Sequence, residues 1–143
     1  LDHYLKLVEM GAYDEQGAHL NALNLLLQLK RDDEAEKLIQ SEEDDYYPDF
    51  VYSRALIAFR KYGDTPKSRR LLKKALRFNQ YVPDYLSGKQ SLSSEEEALW
   101  MPDEQRDAAE YVHMQYSNWW STPGAIDWLR RNIPREGGTT APD

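Results

Sequence analysis

The sequence predicts an all-α protein: an α-solenoid of stacked helical hairpins closed by a C-terminal helical cap. Three observations carry this expectation. Apolar residues recur at helical spacing over most of the chain, with no useful length of the strict alternation that a half-buried strand shows. Helix-start signals punctuate the pattern at several points. The sequence also aligns with itself on a shift of 33 residues.

The spacing predicts helices near 1–10, 15–29, 32–42, 48–62, 65–78, 103–119 and 123–132. Asp32, followed by Asp33 and Glu34, supplies a cap and an acidic first turn that complements the helix dipole. Thr65-Pro66 and Thr122-Pro123 each place a capping hydroxyl directly before a proline, so a helix is expected to start at each. Ser94 with Glu97 has the capping-box spacing. Gly63 and Asp64 break the chain between two strongly apolar helices. Gly137 to Asp143 form a polar tail, expected to be disordered.

The 33-residue shift lays Ala22 and Leu23 on Ala55 and Leu56, Leu26 on Phe59, and Leu38 and Ile39 on Leu71 and Leu72. The turn Lys30-Arg31-Asp32 falls on Gly63-Asp64-Thr65, His19 on Tyr52, and Ala35 on Ser68. A helix-turn-helix unit repeating at about 34 residues is the tetratricopeptide period. Small residues such as Ala35, Ser68 and Ala75 let paired helices approach, while Leu26, Phe59, Leu38 and Leu72 fill the space between units. One such unit cannot bury its apolar face alone, so neighbours must stack. Two unrelated amphipathic hairpins of similar length are the plainer alternative.

Length and composition bound the function. A chain of 143 residues has room for one domain with a real core, and 41% hydrophobic with 30% charged residues is ordinary for a folded domain. No run of apolar residues approaches the roughly 18 that a membrane-spanning helix needs. There is no cysteine, which removes disulfides and thiolate chemistry and fits a reducing compartment, so a cytoplasmic location is expected. The net charge of -7 disfavours nucleic acid as a partner. The first residue is not Met, and an upstream part of a longer protein is expected.

Three segments resemble a known group. Asp14-Glu15-Gln16-Gly17 before an apolar helix is similar to the N-D-N-Q-G opening of some bacterial tetratricopeptide-like proteins. Asn79-Gln80-Tyr81-Val82-Pro83-Asp84-Tyr85-Leu86-Ser87-Gly88-Lys89 resembles that group's N-P-x-V-P-x-Y-L-L-G-K. Trp119 to Leu129 resembles its closing W-x-x-T-P-G-A-L-x-W-L, and the suppressor-of-tumorigenicity-seven family carries a similar ending. The chain departs where Gly11-Ala12 and Asn79-Gln80 replace Asn-Pro turns and where Ser87 replaces a leucine. The resemblance implies a helical repeat fold at the C-terminal end of a longer protein, sometimes beside a zinc-binding module, with no enzymatic activity.

Catalytic and metal chemistry find little support. Glu110 and His113 have half of a di-iron spacing, but a second Glu-x-x-His is absent. Carboxylates such as Asp44-Asp45 and Asp103-Glu104 sit at helix boundaries, where acids are expected, and none accompanies a nucleophile or phosphate loop. No cofactor, no metal and no enzymatic activity are expected. Lys67, Arg70, Lys74 and Arg77 recur at spacings of three, four and three, which puts them on one helical stripe opposite Leu72 and Ala75. That stripe is either a docking face for an acidic partner or RNA backbone, or an ordinary solvated face. Trp100, Trp119, Trp120 and Trp128, with Tyr111 and Tyr116, crowd the last third and read as a packed cap.

The resulting division is one helical-repeat domain over 1–136: the tail of a preceding hairpin at 1–14, repeats at 15–47 and 48–80, and a cap at 81–136, followed by the 137–143 tail. The expected function is a non-catalytic scaffold for a protein or peptide partner. A structural capping or oligomerisation module, with homo-oligomer formation, and RNA or acidic-partner binding through helix 65–78 are the alternatives. Where the tetratricopeptide resemblance holds, the first helix of each hairpin lines a concave surface. That assigns partner contact to Asn21, Asn24, Leu27, Gln28, Arg54, Ile57, Arg60 and Lys61. Asn24 and Arg54 also resemble parts of a carboxylate-gripping clamp, with Leu20 where a clamp lysine would stand.

Overall fold

A computed structural model describes residues 15–40, 47–91 and 100–133. Seven helices span them: α1 Glu15–Gln28, α2 Asp32–Gln40, α3 Pro48–Tyr62, α4 Pro66–Phe78, α5 Val82–Ser87, α6 Asp103–Trp120 and α7 Ala125–Asn132. The described chain contains no strand, so the all-α expectation holds. The expected helix near 1–10, the Ser94–Glu97 capping pattern and the 137–143 tail lie outside the described residues.

α1 packs on α2 and α3 on α4, giving two helical hairpins, and α2 also touches α3. α6 lies against α1 and α3 and pairs with α5; α7 packs against α4, α5 and α6. Burial follows the 33-residue shift. Ala22 with Ala55, Leu23 with Leu56, Ala35 with Ser68 and Ile39 with Leu72 are all buried. Lys30 and Gly63, 33 residues apart, both have positive φ, at 60° and 72°, but the turn hydrogen bonds differ: the Lys30 N–H donates to the Leu27 carbonyl and the Gly63 N–H to the Phe59 carbonyl.

α4 starts as its sequence predicts. Thr65 Oγ1 accepts from the Ser68 N–H at 3.1 Å, and the Thr65 N–H donates to Ser68 Oγ at 2.8 Å, with Pro66 following. This is a reciprocal capping box in which a serine takes the place of the usual Glu or Gln. Ser68 is buried, and its hydroxyl is satisfied there by donating to the Gly63 carbonyl at 2.7 Å.

Thr122 behaves differently from Thr65. The last helix starts at Ala125, not at 123, and Gly124 occupies its cap position at φ 80°. The Thr122 hydroxyl turns back to donate to the Asn118 carbonyl at 2.8 Å, so it belongs to the end of α6. A side chain at Gly124 would be strained at that φ, and its Cβ would meet the Phe59 ring at 3.6 Å. Phe59 stacks on Trp128 with centroids 4.5 Å apart, which ties α7 to α3.

α5 falls in a segment expected only as undivided cap. Its signals are Pro83 in the first turn and Gly88 as a left-handed C-cap at φ 84°. Asn79 organises the junction before it. Its Nδ2 donates to the Glu104 carbonyl at 2.9 Å, its Oδ1 accepts from the Tyr81 N–H at 2.9 Å, and its carbonyl accepts from the Tyr52 hydroxyl.

The apolar interior has two parts. Leu23, Leu26, Leu27, Ile39, Phe50 and Ile57 join the first hairpin to α3. A larger cluster gathers Tyr52, Leu56, Leu72, Tyr85, Trp119 and Trp128 from α3 to α7. Trp119 and Trp128 are fully buried, whereas Trp100 is 87% exposed.

Candidate functional site

The surface shared by α1 and α3 was the expected contact site, and α6 lies across it. Asn118 Nδ2 donates to Asn24 Oδ1 at 3.1 Å and to Gln115 Oε1 at 2.7 Å, forming an amide cluster between α1 and α6. Leu27 and Ile57, expected to meet a partner, are core residues at 0% and 2% exposure. Both pack in the apolar cluster that joins the first hairpin to α3, away from the α1/α3 surface, although Ile57 also lines a groove on another side of α3.

Arg60 was also expected at the contact surface, yet its side chain is only 7% exposed. Nη1 donates to Asp32 Oδ1 at 2.8 Å and to the Leu27 carbonyl at 3.0 Å; Nε donates to Thr122 Oγ1 at 2.9 Å; Nη2 donates to the Asn118 carbonyl at 3.3 Å. One guanidinium thus joins the first interhelix turn, α3 and the end of α6. Only a residue with several donors in a rigid fork can do this.

Lys61 donates to Asp33 and, at 3.1 Å, to Glu36. The hydrogen bond to Asp33 is the main reason its amine sits above the ordinary lysine range. The same bond holds the Asp33 carboxyl below its usual range. Gln28 is exposed and Asn21 half-buried. Arg54 donates to the Ile39 carbonyl at 3.5 Å and lies at the rim of a groove on another side of α3. The structure therefore does not gather the expected residues on one open surface.

Buried polar groups cluster where α3 meets α6. Burial pushes the Asp49 carboxyl up to about 7, with the Glu110 and Asp107 carboxylates adding to the effect. Burial likewise raises the Tyr52 and Tyr111 hydroxyls above the ordinary phenol range. The Tyr111 hydroxyl accepts from Trp119 Nε1 at 2.9 Å, a contact that orders the core. Glu110 and His113 are exposed on α6. Among the described residues no group of three or more His, Asp or Glu side chains is placed to hold a metal ion. No described helix is long and apolar enough to cross a membrane.

The outer face of the second hairpin presents a different arrangement. Lys67, Arg70, Lys74 and Arg77 of α4 are all exposed, while Leu72 and Ala75 on the same helix are buried. Beside this stripe an open groove of about 200 Å³ runs between α2, α3 and α4. Its apolar surface comes from Ile39, Ile57, Ala58 and Leu71, and Arg54, Lys67 and Glu36 provide its charged groups. The Lys67 amine lies 5.5 Å from the centroid of the exposed Tyr62 ring, which also lines the groove. Sequence reasoning missed this site because its walls come from two different hairpins. The available signals were the adjacent Arg54 and Ile57, each attributed to the concave surface, and Lys67 in the basic stripe.

No known family's sequence model matches the chain, and comparison with curated proteins and with solved structures yields no match.

Proposed function

We propose that this chain is a non-catalytic protein-interaction module of tetratricopeptide-like stacked hairpins, with its C-terminal helices acting as a cap. Its docking face is the outer surface of α4, and its partner is an acidic segment of another protein. The observation that carries this reading is the exposed row Lys67, Arg70, Lys74 and Arg77 on a chain whose net charge is -7. Such a local reversal of sign steers an acidic partner to one place and repels it from the rest of the surface. The expected concave contact surface is less suited to the role, because Asn24 and Arg60 there are already bonded to α6 and its end.

Fluorescence anisotropy with a labelled glutamate-rich dodecapeptide tests this on wild type and on Arg70→Glu/Arg77→Glu. The double reversal is expected to weaken binding by roughly tenfold or more, since it turns two attractions into repulsions. Unchanged binding by the folded double variant refutes the assignment. Tighter binding of oligouridine than of the peptide, with a steep salt dependence, would give the face to nucleic acid instead.

A further inference from the structure

We propose that the groove between α2, α3 and α4 is an anchor pocket, taking one apolar side chain of the acidic segment that docks on α4. This deepens the proposed function and rests on it. A row of surface cations alone accepts any polyanion, because exposed charge pairs carry little geometric information. The groove adds what the row lacks. Ile39, Ile57 and Ala58 are 1%, 2% and 5% exposed, so the floor is apolar and rigidly packed from beneath, and half-buried Leu71 forms a wall on α4. A volume of about 200 Å³ accommodates one leucine- or phenylalanine-sized side chain.

The rim defines what flanks that side chain. Arg54 is held at one edge by its bond to the Ile39 carbonyl, and Lys67 stands at the other edge against Tyr62. Glu36, the acid at the groove, is engaged by Lys61 at 3.1 Å, which partly neutralises its repulsion of an incoming carboxylate. Lys67 belongs both to the rim and to the basic row, so the groove and the row are continuous. An acidic protein segment with one buried aliphatic or aromatic residue complements both parts. A nucleic-acid backbone complements only the row.

The test uses two labelled acidic dodecapeptides, one with a central leucine and a twin with serine in its place. Wild type is expected to bind the leucine peptide at least about fivefold more tightly. Ala58→Leu fills the groove without changing charge, and it is expected to erase that preference while leaving affinity for the serine twin intact. In methyl NMR spectra of wild type, Ile57, Ala58 and Leu71 should shift with the leucine peptide and not with its twin, a reading that does not depend on the variant folding. Equal binding of both peptides, with those methyl signals unmoved, overturns the pocket but leaves the docking face standing. Failure of both peptides to bind at all removes the docking face and the pocket together.

Discussion

The two interhelix turns, 33 residues apart, each pass through a residue of positive φ but are held by different means. The turn between α3 and α4 is made from its own residues: Gly63 supplies the positive φ, Pro66 the first helical dihedral, and Thr65 with Ser68 the cap. At the equivalent place between α1 and α2 stands Lys30, at φ 60°, where a side chain is strained. Arg31 and Glu34 form an exposed bidentate pair there, but the firmer support comes from α3. Arg60 reaches Asp32 and the Leu27 carbonyl, and Lys61 reaches Asp33 and Glu36. One turn is thus held by local chemistry and the other by side chains of the neighbouring hairpin.

The largest test of that difference is Arg60→Ala. It leaves Asp32 without its buried partner and strips donors from the Leu27 and Asn118 carbonyls, so a loss of about 3–5 kcal/mol is expected. Chemical denaturation measures it. A loss under ~1 kcal/mol would mean that the first turn stands without α3.

The start of α3 provides a second contrast. Buried Asp49 has the uncharged Gln16 as its counterpart on the 33-residue shift. Because burial raises the Asp49 carboxyl from 3.8 to about 7, the folded chain retains a proton there that the unfolded chain has already lost. This group's contribution therefore falls as pH rises through that window, by at most about 1.4 kcal/mol per pH unit. Asp49→Asn is expected to remove this slope and to be more stable than wild type above pH 7. Parallel stability-against-pH curves for the two proteins would contradict the assignment.

Smaller effects distinguish the turns themselves. Thr65→Ala deletes the cap and is expected to cost about 1 kcal/mol. Lys30→Gly relieves the left-handed dihedral, and it also removes an amine held below its ordinary range by burial and by nearby Arg60. It is expected to stabilise by up to about 1 kcal/mol, after allowing for glycine's extra freedom in the unfolded chain. Thermal melts of the two variants should move in opposite directions. A fall in melting temperature for Lys30→Gly would show that the lysine side chain contributes more through contacts such as Ser121 than its backbone costs.

Much of the fold was legible in the residues. Helical spacing located six of the seven described helices, and the 33-residue shift paired Ala22 with Ala55, Leu23 with Leu56, Ala35 with Ser68 and Ile39 with Leu72, all buried, whereas Phe59, Leu38 and Leu71 are only half-buried. α5 escaped because a helix of six residues is too short to display a period, although Pro83 and Gly88 marked its ends. Thr122-Pro123 misled because a hydroxyl beside a proline signals a cap only where the chain enters a helix. Here the hydroxyl closes α6, and Gly124 makes the turn. The site was less legible. The basic row was visible because it lies on one helix, whereas the groove draws on three.

By itself the sequence determined the all-α class, the Thr65 start and the basic row on α4. Each follows from interactions among residues within a few turns of one another, where spacing alone dictates which side chains share a face. Tertiary structure alone decided that α6 lies across α1 and α3, drawing Asn24 and Arg60 into bonds with it, and that the core encloses Leu27 and Ile57. An amide, a guanidinium or a leucine on a helix reads the same in sequence whether solvent or another helix faces it. Its role depends on a packing partner up to 94 residues away.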